Sequence, residues 1–460
     1  MELFLIRAFQ LILSLSILVL IHELGHFLFA RLFKVRVEKF YMFFNPLFSI
    51  FRAKKIDGKL RFSWFSKNPP AAFKDAPEKT EFGLGWVPLG GYCAISGMID
   101  ESMNKEAMAE PEKPWEFRSQ KAGKRLLIMV GGVLFNFILA LIIYSAVLNV
   151  WGEEYLPVQN ATMGMDYSPA AHEVGFKDGD RLVSADGIAF NQFNDEAMRR
   201  IANAKTVVVL RDTQQVLIQM PQKFMETLIT GEQGFAGFRF PTVIKEVSSG
   251  TPCAKAGLQK GDSLTAINGK ATVTFPEFVE ELGKHKAQII QLQFYRDGVA
   301  KVIQISPDAD GKLGFTTSMP EEIFPTCVQK FTFFASIPAG IKKGVGKLTG
   351  YASDMKYAFT KAGAKSLGGF GTLGKLFPAE IDWKHFWETT GFLSIILAFM
   401  NILPIPALDG GHILFLFYEI VARRKPSDKF MEIAQMVGMF LLIALLLYAN
   451  GNDLYRWLFK

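Results

Sequence analysis

Long apolar runs alternate with mixed, turn-rich stretches along this chain. Four runs, at 8–30, 125–150, 391–417 and 433–449, are long enough to read as membrane-spanning helices, which need roughly 20 apolar residues. The first has no small-residue cleavage site after its apolar core, and two histidines lie inside it. It therefore reads as a span, not a signal peptide. Basic residues set the orientation. Arg31, Lys34, Arg36 and Lys39 follow the first run, Lys121, Lys124 and Arg125 begin the second, and Arg423, Arg424, Lys425 and Lys429 separate the last two. Residues 151–165 contain no Lys or Arg. The positive-inside rule places 31–124 and 418–432 in the cytoplasm, with the N-terminus, 151–390 and the C-terminus on the other side.

The long outer segment repeats itself. GFKDGDRLVSADG at 175–187 returns as GLQKGDSLTAING at 257–269. Gly175, Gly179, Asp180, Leu182 and Gly187 are matched by Gly257, Gly261, Asp262, Leu264 and Gly269, 82 residues on. That period predicts two tandem small domains, each with a Gly-Asp turn, a short strand and a second turn. Residues 319–390 mix aromatics and lysines. They read either as an amphipathic helix on the membrane or as a solvated linker helix, interrupted near Pro338 and Gly340.

Composition agrees with this picture. Half of the 460 residues are hydrophobic, 21% are charged, and mean hydropathy is +0.19. Such a chain is neither disordered nor purely soluble. The net charge, 51 − 44 = +7, fits basic cytoplasmic loops and does not call for nucleic acid. Three cysteines allow at most one disulfide, so no disulfide framework holds the fold.

The candidate chemistry lies inside the apolar runs. Residues 22–26 read HELGH. On a helix, His22 and His26 share a face one turn apart and can reach one Zn²⁺, while Glu23 can serve as general base toward an attacking water. Ionisable groups at membrane depth are costly to place and read as functional. A catalytic zinc usually takes a third protein ligand. Asp409 is the acid in NILPIPALDGGH, residues 401–412, where Pro404 and Pro406 break the helix. Counted from the outer ends of their runs, His22 and Asp409 lie about 21 and 27 Å deep, both in the cytoplasmic half of the bilayer. His412 is a rival third ligand.

HExxH in the first span together with N-x-x-P-x-P-x-L-D-G-G in a later one resembles the site-2 protease family of intramembrane zinc metalloproteases, over essentially the whole chain. The repeat, over 155–240 and 241–318, resembles PDZ domains, which bind extended peptides by strand addition. The resemblance implies a polytopic α-helical membrane protein. It would have four transmembrane helices (the first within 1–30), a cytoplasmic loop at 31–124 with a membrane-associated β-hairpin, and two tandem periplasmic PDZ domains. It implies that His22, His26 and Asp409 hold one zinc, that Glu23 is the catalytic base, and that Asn401 helps hold the substrate backbone. Gly83 and Gly85, before WVPLGGY at 86–92, match the family hairpin that receives substrate as an added strand. Asn136, in GVLFN at 132–136, would be a polar residue facing the site, with Val133 in place of the family's proline. Gly-Gly-Phe-Gly at 368–371 replaces a common Gly-Gly-Pro-Val. Implied partners are single-span membrane proteins, such as trimmed anti-sigma factors and remnant signal peptides, and peptides or substrate ectodomains at the PDZ pair. The implied location is the bacterial inner membrane. A PDZ scaffold without catalysis leaves an intact HExxH unexplained, and a metal transporter would need more polar residues in spans two and four. A CaaX-type metalloprotease leaves the repeat and the LDGG segment unexplained.

Overall fold

The computed structural model describes residues 2–74, 76–98, 111–222, 224–230, 234–358 and 368–459. They form two compact units, one from 1–152 with 330–460 and one from 153–329.

The first unit is built on helices. α1 spans Glu2–Leu32 and α2 spans Ala122–Val150. Their backbones touch where glycines meet, because a Cβ on Gly25 would run into the carbonyl oxygen of Gly131. Small residues permit this approach between apolar helices. Ala30, Ile128 and Met129 pack beside the contact. Among the described residues, three helices are long and apolar enough to cross a membrane, over 5–32, 122–150 and 429–456. The last of these lies within the C-terminal helix, Asp428–Phe459.

The expected span at 391–417 is not one helix. It is a helix at Trp383–Ile402, a loop, and a second helix at Asp409–Ala422. Pro404 and Pro406 lack the N–H groups a continuous helix needs, and Ala407 takes a positive φ of 75°. Close contacts shape the loop. A Cβ on Gly410 would meet the Leu403 carbonyl oxygen, and one on Gly438 would meet that of Pro406.

The segment 333–358 is also unlike its expectation. It is one helix, α3 (Phe333–Ala358), running through both Pro338 and Gly340. It packs on other helices: Gly340 lies against Ser145, Lys343 pairs with Glu388 at 3.1 Å, and Tyr351 stands edge-on to Phe392 and Phe399. With the short α4 (Phe370–Lys375), the helices after it are α5 (Trp383–Ile402), α6 (Asp409–Ala422) and α7 (Asp428–Phe459).

Between α1 and α2 the expected hairpin is a five-stranded sheet. Its strands are β1 (Val37–Phe44), β2 (Ser49–Ile56), β3 (Lys59–Ser66), β4 (Glu81–Leu84) and β5 (Val87–Ile95), in spatial order β3-β2-β4-β1-β5. β4 lies inside, parallel to β1 and antiparallel to β2. β5 pairs with β1 alone and forms an edge packed near α1, where a Cβ on Gly91 would sit 3.1 Å from Val19 Cγ1.

The second unit repeats one network. Asp180 accepts from Arg211 Nε at 2.8 Å and Nη2 at 2.7 Å, and Nη2 also donates to the Gly175 carbonyl at 2.8 Å. Asp262 accepts from Arg296 Nε at 2.7 Å and Nη2 at 2.6 Å, and that Nη2 donates to Gly257 at 2.9 Å. Gly179 and Gly261 take φ of 92° and 91°. Both aspartates are almost fully buried. Bidentate pairing to a buried carboxylate makes each Gly-Asp turn a rigid corner of its sheet.

Candidate metal centre

α1 presents His22 and His26 one turn apart toward α2, and the α5–α6 break brings Asp409 to them at the first turn of α6. An acid is favoured at a helix N-terminus by the exposed N–H groups there. His22 Nε2 lies 3.0 Å from Asp409 Oδ2, His26 Nε2 lies 3.3 Å from it, and the two Nε2 atoms are 3.2 Å apart. Both histidines are buried, at 9% and 6% exposure. Among the described residues this is the group of His, Cys, Asp and Glu able to hold a metal ion.

The second nitrogens fix the rings. His26 Nδ1 donates to the Ile128 carbonyl oxygen at 2.9 Å, which leaves Nε2 with a free lone pair. His22 Nδ1 lies 3.1 Å from the Asn136 amide, whose oxygen is buried without a partner when its NH₂ faces the ring. With the amide turned over, the oxygen accepts Nδ1–H and is satisfied, and His22 Nε2 is again a lone pair. Three lone-pair atoms then face one another, and Asp409 Oδ2 has no hydrogen-bond donor. Such an arrangement calls for a cation. Tetrahedral zinc with bonds near 2.05 Å sets its ligands about 3.3 Å apart, close to the observed separations. The donor set fits zinc.

The other expected residues fall as follows. Glu23 is half-buried beside His22, and its charge adds to burial in pushing the Cys93 thiol of β5 up. Asn401 ends α5 with Nδ2 3.5 Å from His22 Nε2. Asn136 is fully buried and engaged with His22, so its side chain is not presented to a substrate. Gly83 lies within β4, paired to Tyr41 on one side and Arg52 on the other, so strand addition there is closed. Gly85 follows β4, and its N–H is bonded to the Met42 carbonyl. The sheet's edges are β3 and β5, and β5 is the one packed near α1. His412 accepts a hydrogen bond from Gln435 Nε2 of α7 at 2.8 Å and stands outside the trio.

Sequence reasoning missed Gly132. A Cβ there would run into His26 Nε2 and come within 2.6 Å of His22 Cε1. The residue forms the floor under both rings. Its place one helical turn before Asn136 was the available signal.

Comparison with known proteins agrees with this centre. Peptidase family M50 matches residues 10–65 and 59–445, most of the chain. A Yersinia pestis protein named protease RseP is 26% identical over 481 residues, covering 97% of each chain. The Salmonella typhimurium regulator of sigma-E protease RseP is 25% identical over 476 residues, again covering 97% of each. A Neisseria meningitidis protein named as a candidate zinc metalloprotease is 25% identical over 472 residues, covering 97% of this chain and 98% of its own. The chain belongs to peptidase family M50 and is a membrane-embedded zinc metalloendopeptidase of the site-2 protease type.

Proposed function

We propose that this enzyme cuts single-span membrane proteins within their transmembrane segments, using His22, His26 and Asp409 as zinc ligands and Glu23 as general base. The observation that carries this reading is the buried trio of lone-pair atoms, 3.0 to 3.3 Å apart, inside a helical unit rich in apolar spans. Bound there, zinc supplies Lewis acidity at the scissile carbonyl and lowers the pKa of the attacking water. Glu23 takes the water proton and passes it to the leaving amine. Ile128 and Asn136 hold the two imidazoles in the tautomers that expose Nε2.

A substrate helix hides its carbonyls in its own hydrogen bonds, so it must open before cleavage. Asn401, at the rim beside His22, receives a freed backbone group. The neighbouring strand is received by the free edge of β5, close to Glu23, in place of the Gly83–Gly85 segment, which lies two strands in from that edge. Backbone pairing at a sheet edge gives affinity without demanding a sequence.

The reading has four spans, the third broken between α5 and α6, in the bacterial inner membrane, with the metal toward the cytoplasmic side. The duplicated unit, 153–329, is a pair of PDZ domains on the periplasmic face, over 155–240 and 241–318. They screen substrates by ectodomain bulk or bind a new C-terminus. Substrates are trimmed anti-sigma factors and remnant signal peptides, the class that the family resemblance implies; one relative is named a regulator of sigma-E protease.

The test uses purified protein in detergent and a single-span substrate with a short ectodomain, with the cut located by mass spectrometry. A cut inside the apolar segment, abolished by a zinc chelator, is the expected result. A cut confined to the flanking polar sequence would overturn the intramembrane reading.

A further inference from the structure

A cavity of about 610 Å³ opens at the end of α1, six residues beyond His26, and none of its lining belongs to the metal centre. Arg31 comes from the last turn of α1. Lys34 follows with φ of 62°, turning the chain so that the Val35 N–H closes onto the Ala30 carbonyl at 2.8 Å. Lys34, the buried Val35 and Arg36 all line the cavity, so two cations flank one apolar residue in its wall. Arg36 also donates its backbone N–H to the Trp115 carbonyl at 3.0 Å, which sets the indole at the cavity wall.

Three cations therefore share one cavity with a single carboxylate, Glu78, whose side chain is 60% exposed and lies 3.9 Å from Lys79. Among the described residues, Arg31, Lys34 and Arg36 have no side-chain ion pair or hydrogen bond, and Arg36 Nε is buried without an acceptor. A buried donor left unpaired is destabilising unless a ligand or water meets it. The guanidinium fork matches two oxygens of a phosphate.

The surroundings say what carries the phosphate. Leu28 and Leu32 of α1 are 43% and 68% exposed beside Arg31, and Trp115 is 43% exposed. Apolar side chains leading to a basic pocket with an indole at its rim are the surroundings of a lipid headgroup.

We propose that this cavity holds the phosphodiester of an anionic membrane phospholipid between Arg31, Lys34 and Arg36, with the acyl chains against Leu28 and Leu32. The proposal rests on the placement of α1 across the membrane with this end in the cytoplasmic leaflet. It asks nothing of the peptidase chemistry, so its test uses no cleavage.

The test is native mass spectrometry of the full-length protein in detergent with added phosphatidylglycerol. Wild type retains one phosphatidylglycerol. An Arg31→Gln/Arg36→Gln variant binds it more weakly by about tenfold or more, while Arg61→Gln, a change on exposed β3, binds as wild type does. Arg36→Lys, which keeps the charge but loses the fork, binds between wild type and the double variant. An unchanged zinc content in the double variant shows that the fold is intact. Inorganic phosphate at equal concentration leaves the lipid in place. Equal lipid retention by wild type and the double variant would overturn the proposal. Displacement of the lipid by inorganic phosphate would overturn it too, assigning the cavity to a soluble phosphate.

Discussion

His26 donates its Nδ1 hydrogen to the carbonyl oxygen of Ile128 at 2.9 Å. Ile128 sits one turn before Gly132 on α2, so the helix that fixes the tautomer of the ring is also the surface the ring lies on. The candidate metal centre is thus shaped as much by α2, which supplies none of the three facing atoms, as by the helices that supply them.

Gly132→Ala places a methyl group against both imidazoles. The expected result is a fall in zinc content of at least about tenfold, as for loss of a supporting group at a metal site, measured by elemental analysis of the purified protein. Gly123→Ala, where a Cβ meets nothing within 4 Å, leaves zinc content unchanged. Normal zinc in Gly132→Ala would show that the rings do not rest on α2.

Asn136 distinguishes between orienting a ligand and contacting substrate. If its oxygen accepts His22 Nδ1–H, Asn136→Ala weakens zinc binding by about 10- to 100-fold. Asn136→Asp, which keeps an acceptor, binds zinc within a few fold of wild type. A metal-competition titration reads both. Loss of activity in Asn136→Ala with unchanged zinc affinity would return the residue to a substrate role.

How far the sequence discloses this arrangement depends on the range of the interaction. His22, Glu23 and His26 fall within one helical turn, so their relation is written in local spacing. The repeat is legible for the same reason. Asp180 and Asp262 stand out in it, but their partners Arg211 and Arg296 lie 31 and 34 residues on and show only in the folded unit. Pro404 and Pro406 announce a break, while hydropathy across 391–417 still reads as one span. The sheet is hidden because β4 pairs with β1 and β2 across 27 to 42 residues of loop and strand. No local pattern distinguishes its central strand from its edge. That is why Gly83 reads as a candidate contact although it is enclosed on both sides.

The sheet leads to a cross-linking experiment. A cysteine replacing Val87, on the β5 edge, forms a disulfide with a cysteine near the scissile bond of a bound substrate. A cysteine replacing Gly83 does not. Gly83→Cys also drives its Cβ into the Tyr41 ring, so that variant loses about 1–3 kcal/mol of stability, the cost of overpacking. Equal cross-linking at both positions would rule out β5 as the receiving edge.

The Asp262–Arg296 pair makes stability of the duplicated unit depend on pH. Burial raises the Asp262 carboxyl, but Arg296 and the Gln259 N–H outweigh it and hold it below the usual carboxylate range. A depressed folded pKa contributes stability above the unfolded value of about 3.9 and loses it as pH falls through the folded value. Arg296→Met leaves a buried carboxylate unpaired and destabilises the unit by about 3 kcal/mol at neutral pH. The difference from wild type shrinks on acidification and is gone once wild-type Asp262 is protonated. Proteolytic susceptibility of 153–329 in the full-length protein follows it. A difference that does not change with pH would show that the pair acts by packing alone.

The central claim is that His22, His26 and Asp409 hold zinc while Glu23 handles the proton. Its most direct measurement compares zinc content and single-turnover cleavage in wild type, Glu23→Gln and Asp409→Ala. The account predicts full zinc with cleavage reduced at least about 100-fold in Glu23→Gln, and loss of both zinc and cleavage in Asp409→Ala. Cleavage persisting in Glu23→Gln, or zinc at the wild-type level in Asp409→Ala, would contradict it.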